Sequence, residues 1–561
     1  MRMPSFTIWK QHMIQLALGG AIGLLAFTSA SAQEDPVQAA LHDRIEQLRT
    51  DGRLSIGDAD IAAARVLPEF YRQRTFHRAW TNPATVNDLL RAIDDSEMDG
   101  LMPQDYHRES LHRLQRQIGA VASPPPQQLA DLDLLLTDAF LRLGYHMLFG
   151  KVDPERLDPN WNLARDLGNL DPVLATQDAI DSSAPYQFIA SLKPQARYYT
   201  TLKETLMRYR RIASSGGWQA IPEGATLRQG MTDARIPLLR QRLAVTGDLP
   251  EVAVTSSALF DEPLTEAVRR FQRRHHLAVD GVVGTGTLTA LNVPVEARIE
   301  QIRVNLERGR WVLHDLEDTF LIVNIAGFFV AYVKDRAVLW QSRVQVGKPY
   351  RKTPVFKSEM KYLVFNPTWT VPPTILAQDM LPAVKRHPTY LQDKNIRVLH
   401  PSGKAVDQST LDWSQYTARN FPYTLRQDPG ANNALGVVKF IFPNKHLVFL
   451  HDTPSKSLFE KETRTFSSGC IRVEKPLALA EILLDDPATW NQARIAEAIK
   501  SQKTQTVYLR QPLPVLLLYW TAMVATDAQV HFMPDVYGRD AAILEDLNAA
   551  FRLRQRDVER R

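Results

Sequence analysis

The hydrophobic pattern of the chain changes once, and this change limits the kinds of domain that it can form. Up to about residue 312, apolar residues recur at helical intervals, as in Val37–Leu48, Leu129–Phe149 and Tyr186–Ile212. From Thr319 onward, runs rich in Val, Ile and Phe predict strands, including a hairpin of Thr319–Val333 with Ala337–Val346. We therefore predict a multidomain α+β protein, helical in its first half and mostly β in its second.

The first 32 residues have the pattern of a secretory signal peptide. Arg2 and Lys10 precede an apolar run from Met13 to Phe27, and Ala30-Ser31-Ala32 has the small residues of a cleavage site. The apolar run is shorter than the roughly 20 residues that a membrane-spanning helix needs. We therefore predict cleavage after Ala32 and an exported mature chain without a membrane span.

Cysteine content and charge narrow the possible functions. One cysteine among 561 residues excludes an internal disulfide framework and leaves either a reactive thiol or intermolecular pairing. The net charge of +5 is mild and does not indicate a nucleic-acid partner. The helical half shows no metal-ligand spacing and no phosphate-binding loop. We predict no cofactor and no metal.

We divide the mature chain into three parts. Residues 33–229 are predicted to form a helical scaffold, residues 230–297 a small helical module, and residues 298–561 a mostly β domain. The module contains a helix whose buried stripe has the spacing i, i+3, i+4, i+7, formed by Leu264, Ala267, Val268 and Phe271. The adjacent His275 and His276 point in different directions on a helix, so we predict solvated surface for them rather than a metal site.

Regular alternation stops between about residues 372 and 436, inside the predicted β domain. Seven prolines interrupt this stretch, and aromatic residues such as Trp413, Tyr416 and Tyr423 accompany them. A connection of this length within a compact domain is usually functional or disordered, and the aromatic residues favour order. We predict an insertion that either covers the site as a lid or packs as a structural excursion.

The segment HDTPSKSLFEKETRTFSSGCIRV, residues 451–473, gathers the elements of a nucleophilic site. Cys470 is the candidate nucleophile, and His451, at the end of an apolar strand, is the candidate base. Gly469 permits a tight turn in which the amides of Gly469 and Cys470 form an oxyanion hole. The alternative is that Cys470 is a small buried hydrophobe and that His451 only ends a strand.

Neighbouring residues receive more limited predictions. Ser468 and Ser467 are expected to form the turn rather than to attack a substrate. Arg472 either binds a carboxylate or phosphate-like group of the substrate or braces the turn through its carbonyl groups. Trp369 either lines the site or packs in the core.

HDTP followed by SSGCIRV is similar to the signature of the YkuD-type L,D-transpeptidases, bacterial cysteine enzymes that crosslink peptidoglycan peptides. Asp452 and Ser468 stand where the wider family often has glycine and histidine, and both variants resemble the periplasmic YcbB-like subgroup. In that family a backbone carbonyl generally orients the histidine. The run DGLMPQDYH resembles the subgroup's scaffold domain, and residues 267–293 resemble a peptidoglycan-binding repeat. NPTWTVPPTI and RQDPGANNALG match the subgroup's capping insertion.

The resemblance implies a function. Cys470 is expected to take a meso-diaminopimelate residue from a donor tetrapeptide stem as a thioester, releasing D-alanine, and to pass it to the amine of a second stem. The implied location is the periplasm of a Gram-negative bacterium, with other wall synthases as possible partners. Three alternatives remain: a thiol L,D-carboxypeptidase or endopeptidase, an enzyme that anchors proteins to peptidoglycan, and a catalytically silent wall-binding scaffold.

Overall fold

The computed structural model describes residues 35–159, 161–163, 167–314 and 316–551. The predicted signal peptide lies outside the described residues. None of the helices in these ranges combines the length and apolar character needed to cross a membrane.

The N-terminal region is helical, as predicted, apart from one two-stranded hairpin. Asp or Asn followed by Pro begins four of its helices, because the Asx side chain accepts the amide hydrogen two residues on and Pro suits the first helical position. The elements are α1 (Pro36–Asp51), β1 (Ser55–Ile56), β2 (Ala59–Asp60), α2 (Leu67–Gln73), α3 (Pro83–Asp95), α4 (Arg108–Gly119), α5 (Pro126–Phe149), α6 (Pro154–Leu157), α7 (Pro172–Asp181), α8 (Pro185–Ser191) and α9 (Arg197–Ser214).

Helix α5 runs through the centre of this region. Its Asp133 is fully buried, and its carboxylate accepts hydrogen bonds from the amides of Ala79 and Trp80, at 2.9 Å each, and from the hydroxyl of Tyr71. Several donors thus replace the water lost on burial. These hydrogen bonds account for the burial of the Asp133 carboxylate, so no catalytic role is needed to explain it.

The small helical module comprises α10 (Ile236–Val245), α11 (Glu262–Arg274) and α12 (Thr285–Leu291) around its own apolar core. The predicted stripe of α11 is buried in that core. The prediction of solvated histidines is wrong. His275 is 6% exposed and stacks between Phe271 and Phe532, with ring centroids 3.8 and 5.5 Å away, and burial lowers the pKa of His276 to about 4. The end of α11 is covered because the module packs against the β domain.

The β domain closes most of its strands into a ring. The sheet has the strand order β13-β5-β14-β12-β11-β6-β15-β3-β4, and an additional pairing of β4 with β5 joins the two sides. Two helices follow β14, and a small hairpin and a last helix follow β15. The strands and helices are β3 (Phe320–Asn324), β4 (Phe329–Lys334), β5 (Ala337–Gly347), β6 (Phe356–Phe365), β11 (Val438–Ile441), β12 (Leu450–His451), β13 (Thr465–Ser467), β14 (Ile471–Val473), α17 (Pro476–Leu484), α18 (Gln492–Lys500), β15 (Gln505–Leu518), β16 (Ala522–Val524), β17 (Val530–Phe532) and α19 (Asp540–Asn548).

The segment between β6 and β11 is ordered and has a core of its own. Its four-stranded sheet has the order β7-β10-β8-β9, and Trp413 and Leu425 are buried beneath it. Its elements are β7 (Trp369–Thr370), α14 (Pro373–Ile375), a π-helical turn (Leu376–Met380), α15 (Leu381–Arg386), α16 (Tyr390–Asp393), β8 (Ile396–Leu399), β9 (Ala405–Val406) and β10 (Thr424–Gln427). We call this segment the insertion.

Helix α13 (Val295–Val312) joins the helical half to the β domain, and it carries a buried ion pair. Glu307 and Arg310 contact each other with both side chains fully buried. Arg310 also donates to the Asp99 carbonyl and the Tyr199 hydroxyl, at 2.9 and 2.8 Å, and Glu307 accepts from the Val152 amide. The pair therefore fastens α13 to the helical region.

Glu307→Gln is expected to destabilise the protein by about 3 kcal/mol or more, because it leaves Arg310 as a buried charge without its counterion. Urea denaturation followed by tryptophan fluorescence measures the loss. The matched control is Glu69→Gln, which removes the same kind of i,i+3 pair, with Arg72, from an exposed helix face. Equal denaturation midpoints for the two variants would contradict the role assigned to the buried pair.

Candidate active site

The parallel pairing of β12 with β14 brings the two halves of the HDTP…SSGCIRV segment together. Leu450 pairs with Ile471, and His451 pairs with Arg472. The neighbouring strands extend the register, since Lys439 on β11 pairs with His451, and Gln345 on β5 pairs with Arg472. Paired residues point to the same face of a sheet. Lys439, His451, Arg472 and Gln345 therefore form one polar row, while Leu450 and Ile471 are fully buried on the other face.

The His451 ring is held by a backbone carbonyl next to it in the chain. The side chain is 4% exposed, and Nδ1 contacts the backbone carbonyl of Asp452 at short range. A carbonyl only accepts, so in the neutral ring Nδ1 carries the proton and Nε2 has the lone pair. A backbone hydrogen bond with Leu435 also acts on the imidazole. Burial, followed by the positive charge of Arg472, lowers the pKa of His451 to about 3. The imidazole is therefore neutral near neutral pH.

Cys470 is half-buried at the start of β14, and it is a free thiol. Its Sγ lies 3.7 Å from the carbonyl of Leu447, and no hydrogen bond joins it to His451 in the part of the chain that the structure describes. Burial raises the pKa of the Cys470 thiol above its ordinary value, although the cations Lys439 and Arg472 act in the opposite direction. The resting site thus contains a neutral thiol and a neutral imidazole rather than an ion pair.

The turn before Cys470 has one unused amide. Gly469 has φ of +117°, a conformation that glycine adopts without strain, and its N–H donates to Ser467 Oγ at 3.1 Å. The hydroxyl of Thr353 donates to the carbonyl of Gly469 at 2.9 Å. In the trans peptide between Gly469 and Cys470, the Cys470 N–H points opposite to the Gly469 carbonyl. This N–H has no acceptor among the described residues. Cys470 is thus the better oxyanion donor of the two predicted amides.

Thr353 is itself fixed by a buried network. Its Oγ1 also accepts from the amide of Gly347, at 2.9 Å, and its amide donates to the hydroxyl of Tyr537. The same hydroxyl donates to the carbonyl of Gly347 at 2.6 Å. Thr353 is fully buried. The loop from Gly347 to Thr353 therefore sets the orientation of the turn from outside the motif.

Asp452 braces the end of the insertion instead of facing the thiol. Its carboxylate accepts from the Val437 amide at 3.0 Å and pairs with Lys456. A side chain at Gly436 would collide with it, since a Cβ there would lie 2.2 Å from the carboxylate. The aspartate of HDTP therefore joins the catalytic strand to the turn that leads out of the insertion.

The remaining predicted site residues lie at different distances from the chemistry. Ser468 accepts a hydrogen bond from Arg351 at 2.8 Å, so it belongs to the turn and its surroundings. Arg472 donates to the side chain of Gln345 at 3.2 Å, not to the carbonyls of the turn. Trp369 packs against the core of the insertion. Among the described residues, no group of three or more His, Cys, Asp or Glu is arranged to hold a metal ion.

Sequence reasoning did not find Lys439, Thr353 and Arg351. Lys439 reaches the polar row through the register of β11, and its Nζ lies 3.7 Å from the centroid of the Phe449 ring. Thr353 and Arg351 come more than a hundred residues before Cys470. Only the pairing of β5 with β13 and β14 reveals that their loop surrounds the turn.

Comparison with known proteins identifies the β domain. Residues 318–497 match the family model of the L,D-transpeptidase catalytic domain, YkuD. The chain carries a YkuD catalytic domain. Two further models match outside it: a scaffold domain over residues 65–206 and a "Putative peptidoglycan binding domain" over residues 232–291. The three parts of the predicted fold class are thereby confirmed.

One curated relative is similar in sequence to part of this chain. A Haemophilus influenzae protein named "Putative L,D-transpeptidase" is 37% identical over 250 residues, which are 44% of this chain and 50% of the relative. The chain thus spans about half the length of that relative. A crystal structure of an L,D-transpeptidase from Stackebrandtia nassauensis is 11% identical and covers 52% of this chain and 94% of that chain. Its TM-score of 0.21 is too low to support a conclusion about the YkuD domain.

The charge state of the YkuD domain's thiol has a direct test, because Cys470 is the only cysteine of the chain. Since burial raises its pKa, iodoacetamide is expected to alkylate it about tenfold faster with each pH unit between about pH 6 and about pH 8. Intact-protein mass spectrometry measures the rate. The urea-unfolded chain, in which the thiol has its ordinary pKa, serves as the reference. A rate independent of pH would indicate a preformed thiolate–imidazolium pair instead.

Proposed function

We propose that this chain is an L,D-transpeptidase that crosslinks peptidoglycan through a thioester on Cys470. The observation that supports this most strongly is the position of His451, which pairs with Arg472, two residues after the thiol, and whose Nδ1 is bonded to a carbonyl. The match of residues 318–497 to the YkuD model supports the same reaction class. The match of residues 232–291 favours peptidoglycan as the polymer.

In the acylation step, Nε2 of His451 takes the thiol proton as Cys470 attacks the donor carbonyl. Lys439 and Arg472 lie close enough to lower the pKa of the thiol, so they stabilise the thiolate as its charge develops. The Cys470 N–H, aimed away from Thr353, donates to the oxyanion. The carbon–nitrogen bond to the terminal D-alanine then breaks, and the amine leaves with the proton from His451.

In the transfer step, the side-chain amine of meso-diaminopimelate on a second tetrapeptide stem attacks the thioester. His451 accepts the amine's proton, the carbon–sulfur bond breaks, and the proton returns to the thiolate. The products are a crosslinked pair of stems and the free enzyme. Energy comes from the peptide bond to D-alanine, so neither ATP nor a metal ion enters the balance.

The proposal extends to location and family subgroup. A chain that acts on peptidoglycan and begins with a signal peptide pattern belongs in the periplasm of a Gram-negative bacterium. Asp452 and Ser468 in the HDTP and SSGC motifs, together with an ordered insertion, support placement in the YcbB-like subgroup. The insertion would then cap the site, and other wall synthases would be partners of the protein.

Incubating the mature chain with a disaccharide-tetrapeptide tests the reaction. We expect a mass increase on the protein equal to the donor minus D-alanine, lost in Cys470→Ala, together with dimeric muropeptide. An adduct with only trimmed peptide would show a carboxypeptidase. Transfer to a protein amine in place of a stem would show an anchoring enzyme. Without any adduct, the chain would be a wall-binding scaffold.

The orientation of the turn has a separate consequence for the rate. Thr353→Val removes the hydroxyl that holds the Gly469 carbonyl, so the Cys470 N–H loses its fixed direction. Because one oxyanion donor contributes about a hundredfold to a thousandfold, we expect acylation to slow by at least about tenfold. Thr353→Ser retains the hydroxyl and should restore most of the rate. Equal acylation rates for Thr353→Val and the parent would contradict this role.

A further inference from the structure

Arg351 joins the insertion to the turn that precedes Cys470. Its guanidinium donates to both carboxylate oxygens of Asp379, at 2.5 and 2.9 Å, and to the side chain of Gln378 at 3.0 Å. The nitrogen that donates at 2.5 Å also donates to Ser468 Oγ, at 2.8 Å. One planar fork therefore spans two separate parts of the molecule, the π-helical turn of the insertion and the catalytic turn.

The backbone at Arg351 lies close to the turn that precedes Cys470. Ser468 is two residues before the thiol, and a Cβ at Gly469 would lie 4.0 Å from the Arg351 carbonyl and 3.9 Å from that of Lys352. The Arg351 side chain is 11% exposed, whereas Asp379 is 40% exposed. Arg351 is thus the more buried partner of the pair, and Asp379 is the more exposed one.

The contact has the geometry that arginine uses to recognise carboxylates. A guanidinium matches a carboxylate through two parallel N–H···O bonds, and charge-assisted bonds of this kind are the stronger ones in proteins. Asp379 lies within the π-helical segment Leu376–Met380, a backbone form found mainly at functional sites. The carboxylate next to the catalytic turn therefore comes from an element outside the β ring.

We propose that Arg351 is the receptor for the terminal carboxylate of the donor peptide and that Asp379 occupies this receptor in the free chain. The inference rests on the proposed function, because it assigns the substrate group that the site recognises. The attacked carbonyl belongs to the residue before the terminal D-alanine, so the free carboxylate lies one residue beyond it. Replacement of Asp379 exchanges one carboxylate for another, and Arg351 never loses a partner.

This arrangement gives Asp379 two effects. It neutralises the Arg351 charge when no donor is present, and it competes with donors that end in a carboxylate. A donor whose terminus is amidated has neither charge nor two equivalent acceptor oxygens, so it cannot displace Asp379.

The experiment compares two donors that differ only in the terminal group, a tetrapeptide ending in D-alanine and the same peptide ending in D-alaninamide. The acylation rate of Cys470 is measured by mass spectrometry for the parent, Arg351→Gln, Asp379→Asn and Asp428→Asn. Asp428→Asn is the matched control, because it removes an aspartate that pairs with Arg397 elsewhere in the insertion.

We expect the parent to prefer the free acid by about tenfold or more, the contribution of one charge-assisted hydrogen bond. Arg351→Gln should lose this preference. Asp379→Asn should accelerate acylation by the free acid and leave the amide unchanged, and Asp428→Asn should behave as the parent. Equal rates for the two donors in the parent would overturn the proposal. So would a loss of rate with both donors in Asp379→Asn, because that result describes a purely structural clamp.

A binding measurement separates this proposal from the proposed function. In a Cys470→Ala background no thioester forms, and calorimetry gives the affinity of each donor directly. A weaker affinity for the amide, abolished by Arg351→Gln, supports the receptor even if the parent forms no adduct. Absence of an adduct in the parent bears on the transpeptidase proposal, whereas equal affinities for the two peptides refute the receptor.

Discussion

The site depends on a short parallel pairing, that of β12 with β14. The two strands contribute only two and three residues, and each also pairs with a second neighbour, β12 with β11 and β14 with β5. Parallel strands need a crossover connection, and here the crossover ends in the turn that carries Gly469 and Cys470. The ring of strands therefore sets the relative positions of His451, Cys470 and the Cys470 amide, the proposed base, nucleophile and oxyanion donor.

Burial sets the protonation states of His451 and Cys470. It lowers the pKa of His451 and raises that of Cys470, so both groups rest in their neutral forms. Lys439 and Arg472 oppose the rise in the pKa of Cys470, whereas they add to the lowering of the pKa of His451. Neither His451 nor Cys470 carries a charge before a substrate arrives, and the two cations stabilise negative charge once the thiol has lost its proton.

Much of this was predictable from the sequence, because the local signals agree with the fold. The helical and β halves, the hairpin turn at Asp335 and Arg336, and the order of the insertion follow from periodicity and turn residues. Cys470 and His451 were found because they lie within one short motif. Their catalytic roles remain predictions, and so do the exact domain boundaries.

The missed residues share a physical cause. Lys439 joins the site through strand register, and Arg351 and Thr353 join it through a loop far away in the chain, neither of which periodicity reports. His275 and His276 were assigned to solvent because the contact between the module and β17 leaves no mark on the pattern of α11. The surroundings of these residues thus depend on strand register and on contacts between domains, which the local sequence pattern does not contain.

The proposed chemistry requires a neutral His451 with an unprotonated Nε2 that can accept the Cys470 proton. Nitrogen-15 NMR of the histidine-labelled chain near pH 7, with His451→Gln used to assign the signal, tests it most directly. We expect a neutral ring in which Nδ1 carries the proton and donates it to the Asp452 carbonyl. An imidazolium signal, or a proton on Nε2, would contradict it.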